Sequence, residues 1–120
     1  FLLFPPLTFC TLCILTTNFA VKKAVPRWDG LGKMMVTLNK SETYLMVGIE
    51  DNYDLWMAGK KLEKGAYVAV SLFGNAASSD YDKLTAKICE IYERELGIPG
   101  SAVYVTYHPV SDWGWNGANF

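Results

Sequence analysis

AYVAVSLFGNAASSDYDKLTAKICEIYERELGIPGSAVYVTY, residues 66–107, reads as strand, helix, strand, and the rest of the chain is arranged around it. Residues 66–73 are rich in β-branched and aromatic side chains, as a buried strand requires. Residues 75–79 are small and polar, which predicts a loop. Ser79 is the expected helix cap, and Asp82 three residues later completes a capping-box pattern. Tyr81, Leu84, Ile88, Ile91, Tyr92 and Leu96 then recur at helical spacing, with Asp, Lys and Glu between them. Gly97 stands where a left-handed residue closes a helix, and Pro99 forbids continuation. Residues 102–107 form a second expected strand. Two strands joined by a helix of this length make a βαβ unit with parallel strands and a right-handed crossover.

The first half repeats the pattern. A strand is expected over 12–17, ended by Asn18, and residues 21–26 read as a loop. Trp28, Leu31, Met34, Met35 and Leu38 fall on one helical face, closed by Asn39, although Gly30 and Gly32 weaken that helix by ~1 kcal/mol each relative to Ala. Residues 43–49 are a further strand. The fold class expected is therefore α/β: two βαβ pseudo-repeats forming a four-stranded mixed sheet with two helices on one face. The other face needs a cover, which argues for oligomerisation. Residues 51–64, with Lys60, Lys61, Glu63 and Lys64, read as a solvated loop joining the halves. Trp56, Met57 and Gly59 within it fit that reading less well, since exposed Trp and Met are costly unless packed.

A chain of 120 residues predicts one domain with a small but real core. With 51% hydrophobic and 19% charged residues it is not disordered, and a net charge of −1 gives no electrostatic case for nucleic acid. The cysteines are Cys10, Cys13 and Cys89, an odd count without framework spacing. Cys10 and Cys13 form a nominal CxxC, but in a strand-like run thiols i and i+3 face opposite sides, so buried strand cysteines are expected rather than a redox or metal site. His108 is read as a strand-end surface residue without a catalytic role. Residues 1–10 read as an apolar N-terminal extension ahead of a single domain over 11–120. The apolar run is shorter than the ~20 residues of a membrane span and is broken by Pro5 and Pro6, so no membrane is expected. A signal-peptide core with cleavage near residues 18–20, or a translated intron end, are the alternatives for it.

Three spans resemble a known family. Residues 39–47, Asn-Lys-Ser-Glu-Thr-Tyr-Leu-Met-Val, are similar to its Gly-Lys-Pro-x-x-Tyr-hydrophobic-Met-Val stretch. Gly97-Ile98-Pro99 followed by Val103-Tyr104-Val105 is similar to its helix-to-strand turn. Residues 113–120, Trp-Gly-Trp-Asn-Gly-Ala-Asn-Phe, closely match its Gly-Trp-Asn-Gly-x-x-Phe ending. Together they resemble macrophage migration inhibitory factor and D-dopachrome tautomerase, over residues 12–120.

The resemblance implies a homotrimer of the tautomerase fold that interconverts the keto and enol forms of phenylpyruvate-like or dopachrome-like substrates, with no cofactor and no metal. A small aromatic keto acid is the implied partner, and a cell-surface receptor if the chain is cytokine-like. Cytoplasmic localisation with leaderless release is implied as well. The family's base is a mature N-terminal proline. A free α-amine has a pKa near ~8, which an apolar pocket lowers toward working pH. Its carboxylate-binding lysine corresponds to Lys40. Phe73, Tyr104, Thr106, Trp115 and Phe120 correspond to substrate-binding positions, with Thr106 where an Asn is common. The family's CxxC would fall at residues 64–67 and is absent. Aligning Asn18 with the family's strand end puts Thr11, or Cys10 with one slip, at the proline position. There the nitrogen is an amide and cannot act as a base. A catalytically inactive, cytokine-like binding protein of the same fold is the alternative.

Overall fold

The computed structural model describes residues 11–17 and 45–119. The expected first helix, Lys40, Phe120 and the apolar extension over 1–10 lie outside the described residues. Eight strands and one α-helix are described: β1 (Thr11–Thr17), β2 (Leu45–Glu50), β3 (Trp56–Met57), β4 (Lys60–Lys61), β5 (Ala66–Phe73), α1 (Ser78–Leu96), a single 3₁₀ turn (Gly100–Ala102), β6 (Val103–Val110), β7 (Gly114–Trp115) and β8 (Ala118–Asn119).

The main sheet has the order β2-β1-β5-β6. The outer pairs β1–β2 and β5–β6 are parallel, and the central pair β1–β5 is antiparallel. This is the mixed four-stranded sheet of two strand–crossover–strand halves. Helix α1 crosses over from β5 to β6 as the 66–107 pattern requires.

Alternation along β5 decides which face is the core. Ala66, Val68, Val70 and Leu72 are buried, while Tyr67, Ala69, Ser71 and Phe73 turn to the opposite face and stay at least partly accessible. Leu84, Ile88, Tyr92 and Leu96 of α1 supply the matching helical stripe, joined by Ile98, with Val47, Ile49, Val103 and Val105 packed against the cluster. A fully buried Ile or Leu side chain contributes about 1.5–3 kcal/mol, so this stripe is what holds α1 to the sheet. Tyr107 ties the same layers by polar contacts. Its ring stacks on Tyr81 at 4.5 Å. Its hydroxyl donates to the Tyr81 carbonyl at 3.2 Å and lies 2.7 Å from Thr85 Oγ1. The single phenolic hydrogen is spent on the carbonyl, so Thr85 is the donor in the second bond.

The helix ends as expected and starts differently. Gly97 has φ +70° and its N–H bonds the Glu93 carbonyl, the left-handed closure predicted for it. At the other end Ala77, not Ser79, occupies the cap, and no side chain caps the helix. Ser79 lies inside the first turn. The loop is anchored instead by Tyr81, whose hydroxyl accepts the Ala76 N–H at 3.2 Å. The last long strand runs on to Val110, three residues further than expected, and Ala102 belongs to the 3₁₀ turn. Pro109 is tolerated because β6 is an edge strand.

Residues 51–64 are not simply a solvated loop. β3 and β4 form a hairpin whose turn, Ala58 and Gly59, has positive φ at both positions, the geometry of a two-residue type I′ connection. Lys61 Nζ sits 5.5 Å from the centroid of Trp56 and 3.5 Å from Asp54 Oδ1. The lysine stem covers part of an indole that is otherwise exposed. β7 and β8 form a second hairpin, turned by Asn116 and Gly117, again both at positive φ. Asn-Gly is the dipeptide that adopts this turn most readily.

Candidate functional site

Sheet register fixes where each predicted site residue can stand. The head of β1, Thr11, pairs with Leu72 of β5, one residue before Phe73, and Leu72 pairs with Pro109 of β6. Thr11, or Cys10 with one slip, is the position that the sequence reading matches to the family's catalytic proline. It therefore lies at the end of the sheet where β5 finishes. Phe73 is half-buried on the face away from α1, and the following Gly74, at φ +78°, donates its N–H to the Val110 carbonyl at 2.9 Å. This bond locks the exit of β5 to the end of β6.

Tyr104 and Thr106 share that open face but not that end. Tyr104 pairs with Tyr67, which pairs with Thr16, and Thr106 pairs with Ala69, opposite Ile14. At 3.3 Å per residue, Tyr104 is roughly 16 Å and Thr106 roughly 10 Å along the strands from the level of Thr11. Within one chain, Tyr104 cannot contact a ligand held at the head of β1. Its side chain is 64% exposed, as is 69% of Met46 on the same face. Trp115 stands on the β7–β8 hairpin and is about half exposed. The structure thus brings Phe73 near the β1 head, sets Tyr104 and Thr106 further down the face, and carries Trp115 on a separate hairpin.

Thr106 is not isolated. Its Oγ1 lies 2.9 Å from the Tyr67 hydroxyl and 2.8 Å from His108 Nε2. His108, read as a strand-end surface residue, is exposed and lies two residues before the end of β6, on the face of Thr106 and in hydrogen-bond contact with it. Neither Tyr67 nor His108 was picked out from the sequence as a site residue. The one available signal is parity: His108 follows Thr106 by two residues, so the two must share a face.

A matching profile extends over nearly all of this architecture. The macrophage migration inhibitory factor (MIF) family profile matches residues 14–120. The chain belongs to the MIF family. Solved structures agree. MIF2 of Leishmania major superposes with a TM-score of 0.85 at 25% identity, covering 94% of this chain and 99% of that one. The MIF homologue of Prochlorococcus marinus gives 0.81 at 28% identity, covering 91% and 98%. The Toxoplasma gondii MIF gives 0.78 at 23% identity, covering 91% and 99%, a likeness of fold. The search of curated proteins gives no match.

Two other features of this MIF-family chain stand apart from the face just described. A cleft of about 430 Å³ is lined by Met57, Leu62, Lys64, Gly97, Pro99 and Ser101 among others, and by none of the predicted site residues. It lies where β5 begins, at the opposite end of the sheet from the head of β1. Lys64 Nζ is engaged there with the Leu96 carbonyl at 3.1 Å, a cation against the negative end of α1. Cys89 is a half-buried thiol on α1. Burial pushes its pKa up, and the Glu93 carboxylate adds to the shift, which disfavours the nucleophilic thiolate. Among the described residues no group of three or more His, Cys, Asp or Glu side chains is arranged for a metal.

Proposed function

We propose that the protein is a keto–enol tautomerase of small aromatic keto acids, phenylpyruvate-like or dopachrome-like, whose pocket forms at the head of β1 between copies of the chain in a homotrimer. The observation that carries this reading is the register. Thr11 and Phe73 sit at one end of the sheet, while Tyr104 is roughly 16 Å away on an exposed face. A site that uses both needs a second copy to bring its own Tyr104 and Thr106 to the first copy's β1. Membership of the MIF family supports the same arrangement.

The proposed roles follow from the chemistry. An amine at the head of β1 takes the proton from the carbon beside the keto group, and the keto oxygen gains a proton as the enol forms; the reverse steps return the keto form. Lys40 holds the carboxylate as a point charge. Phe73, Tyr104, Thr106, Trp115 and Phe120 flank the ring and the keto oxygen. Lysine does not substitute as the base, because its ordinary pKa of ~10.4 keeps it charged, and the carboxylate occupies it. The base must be an unprotonated amine within hydrogen-bond reach. With residues 1–10 in place the nitrogen of Thr11 is an amide, so turnover is assigned to a form whose chain starts there with proline.

The test is a comparison of two chains in an enol-absorbance assay with phenylpyruvate. One is the 120-residue chain; the other begins at position 11 with Thr11→Pro. The second is expected to be faster by about 10²–10⁴, the usual contribution of a positioned acid–base group. Equal rates would remove the terminal amine from the mechanism. Inactivity of both, with phenylpyruvate still bound, would favour the second reading: a cytokine-like binding protein, released from the cytoplasm without a leader, that offers its surface to a receptor. The amide at Thr11 is the observation that favours it.

A further inference from the structure

Tyr67, Thr106 and His108 form one chain of hydrogen bonds across β5 and β6, on the sheet face opposite the core. A threonine or tyrosine hydroxyl has one hydrogen and two acceptor positions, and an imidazole nitrogen either donates or accepts. Two states of the ring nitrogen are therefore to be compared. With a bare Nε2, Thr106 gives its hydrogen to His108 and accepts from Tyr67; every hydroxyl hydrogen is used, and the patch offers only lone pairs. With a hydrogen on Nε2, His108 donates to Thr106; then either Thr106 donates to Tyr67 and the Tyr67 hydrogen turns outward, or Thr106 accepts from both and its own hydrogen turns outward. The ring nitrogen thus decides whether this patch accepts or donates. A keto acid anion carries only acceptor oxygens.

We propose that His108 is the positioning residue of this face: with a hydrogen on Nε2 it orients Thr106 and Tyr67 so that the patch donates a hydrogen bond to an anionic keto acid. This rests on the reading that Thr106 faces the substrate. His108 and Tyr67 are both exposed, so changing either side chain leaves the core intact. Because this face meets a second copy in the proposed trimer, the mass of each variant is checked by sedimentation, so that the direction of the hydrogen bonds is read apart from assembly.

The test uses the full 120-residue chain and phenylpyruvate, titrated by calorimetry, with ¹⁵N chemical shifts of the His108 ring followed in parallel. His108→Phe and Tyr67→Phe are each expected to weaken binding about three- to tenfold, the value of one hydrogen bond. His108→Gln, whose amide can still donate, is expected to bind within about twofold of the original chain. The Nε2 shift is expected to report a bound hydrogen in the complex, and Thr106→Val is expected to move it. A bare Nε2 in the complex, or His108→Phe binding as tightly as the original, overturns the proposal while leaving the tautomerase reading in place. No binding of phenylpyruvate to the original chain overturns both.

Discussion

At the scale of single residues, exposure separates side chains packed in the core from side chains accessible at the surface. Trp115 is 48% exposed on a two-residue strand, while Ile88 is 1% exposed beneath the sheet. Trp115→Ala is expected to change the free energy of unfolding by no more than about 0.5 kcal/mol, as for surface positions generally. Its effect on phenylpyruvate affinity is expected to be several times larger. Urea titration and calorimetry on the same sample measure the two; equal losses would make the indole a packing plug. Gly97 is the opposite case. Its φ of +70° is a region in which any other L-residue pays about 1–2 kcal/mol. The nearest atom to an added Cβ is Lys64 Nζ at 3.3 Å, which has to give slightly while it holds the Leu96 carbonyl, so the backbone sets most of the cost. Gly97→Ala is expected to lower stability by about that amount, read from the shift of the urea midpoint.

At the scale of elements, α1 is held by an apolar stripe and one polar clasp, and the two can be told apart. Ile88→Ala removes a fully buried side chain and leaves a cavity, a change that usually costs 2–5 kcal/mol. Tyr107→Phe keeps the ring stacked on Tyr81 but removes the hydroxyl that joins Thr85 and the Tyr81 carbonyl. Its expected cost is about 1 kcal/mol. Thermal unfolding of both variants measures the difference. A larger loss for Tyr107→Phe than for Ile88→Ala would mean that the clasp, not the stripe, fixes the helix. The β3–β4 hairpin works differently, because Trp56 is exposed and is covered only in part by Lys61. A single cation–π contact at an exposed site is worth about 0.5–1 kcal/mol, enough to bias the hairpin but not to build one.

At the scale of the whole molecule, the sheet has one face packed by α1 and one on which Met46, Tyr67 and Tyr104 are exposed. Large exposed apolar groups gathered on one face are unusual for a monomer. The chain is expected to sediment at equilibrium as a trimer at micromolar concentration. A species of single-chain mass would remove the shared pocket, because the register keeps Tyr104 far from the head of β1 within one copy. Tyr104→Glu is a companion variant: a charge on the face that a trimer would bury is expected to shift the mass downward while the far-ultraviolet dichroism stays unchanged.

The strand over 66–73, the helix closed at Gly97 and the return strand were legible because their signals are local. Alternation with period two, apolar spacing near 3.6, and a glycine followed by a proline each act within a few residues. The C-terminal Trp-Asn-Gly-x-x-Phe pattern was legible for the same reason. The helix start was not, because Ser79 has the right chemistry for a cap while the backbone is capped two residues earlier, at Ala77, with the loop anchored by Tyr81. The hairpin of 51–64 was hidden because its strands are two residues long, too short for any period. The polar chain of the site was beyond the sequence altogether. Tyr67 and Thr106 are 39 residues apart, and they meet only because β5 and β6 pair in one register. A slip of one residue would turn each to the other face. That register is chosen by burying Ala66, Val68 and Val70 against α1, a decision made by the packed layers and not by any segment alone.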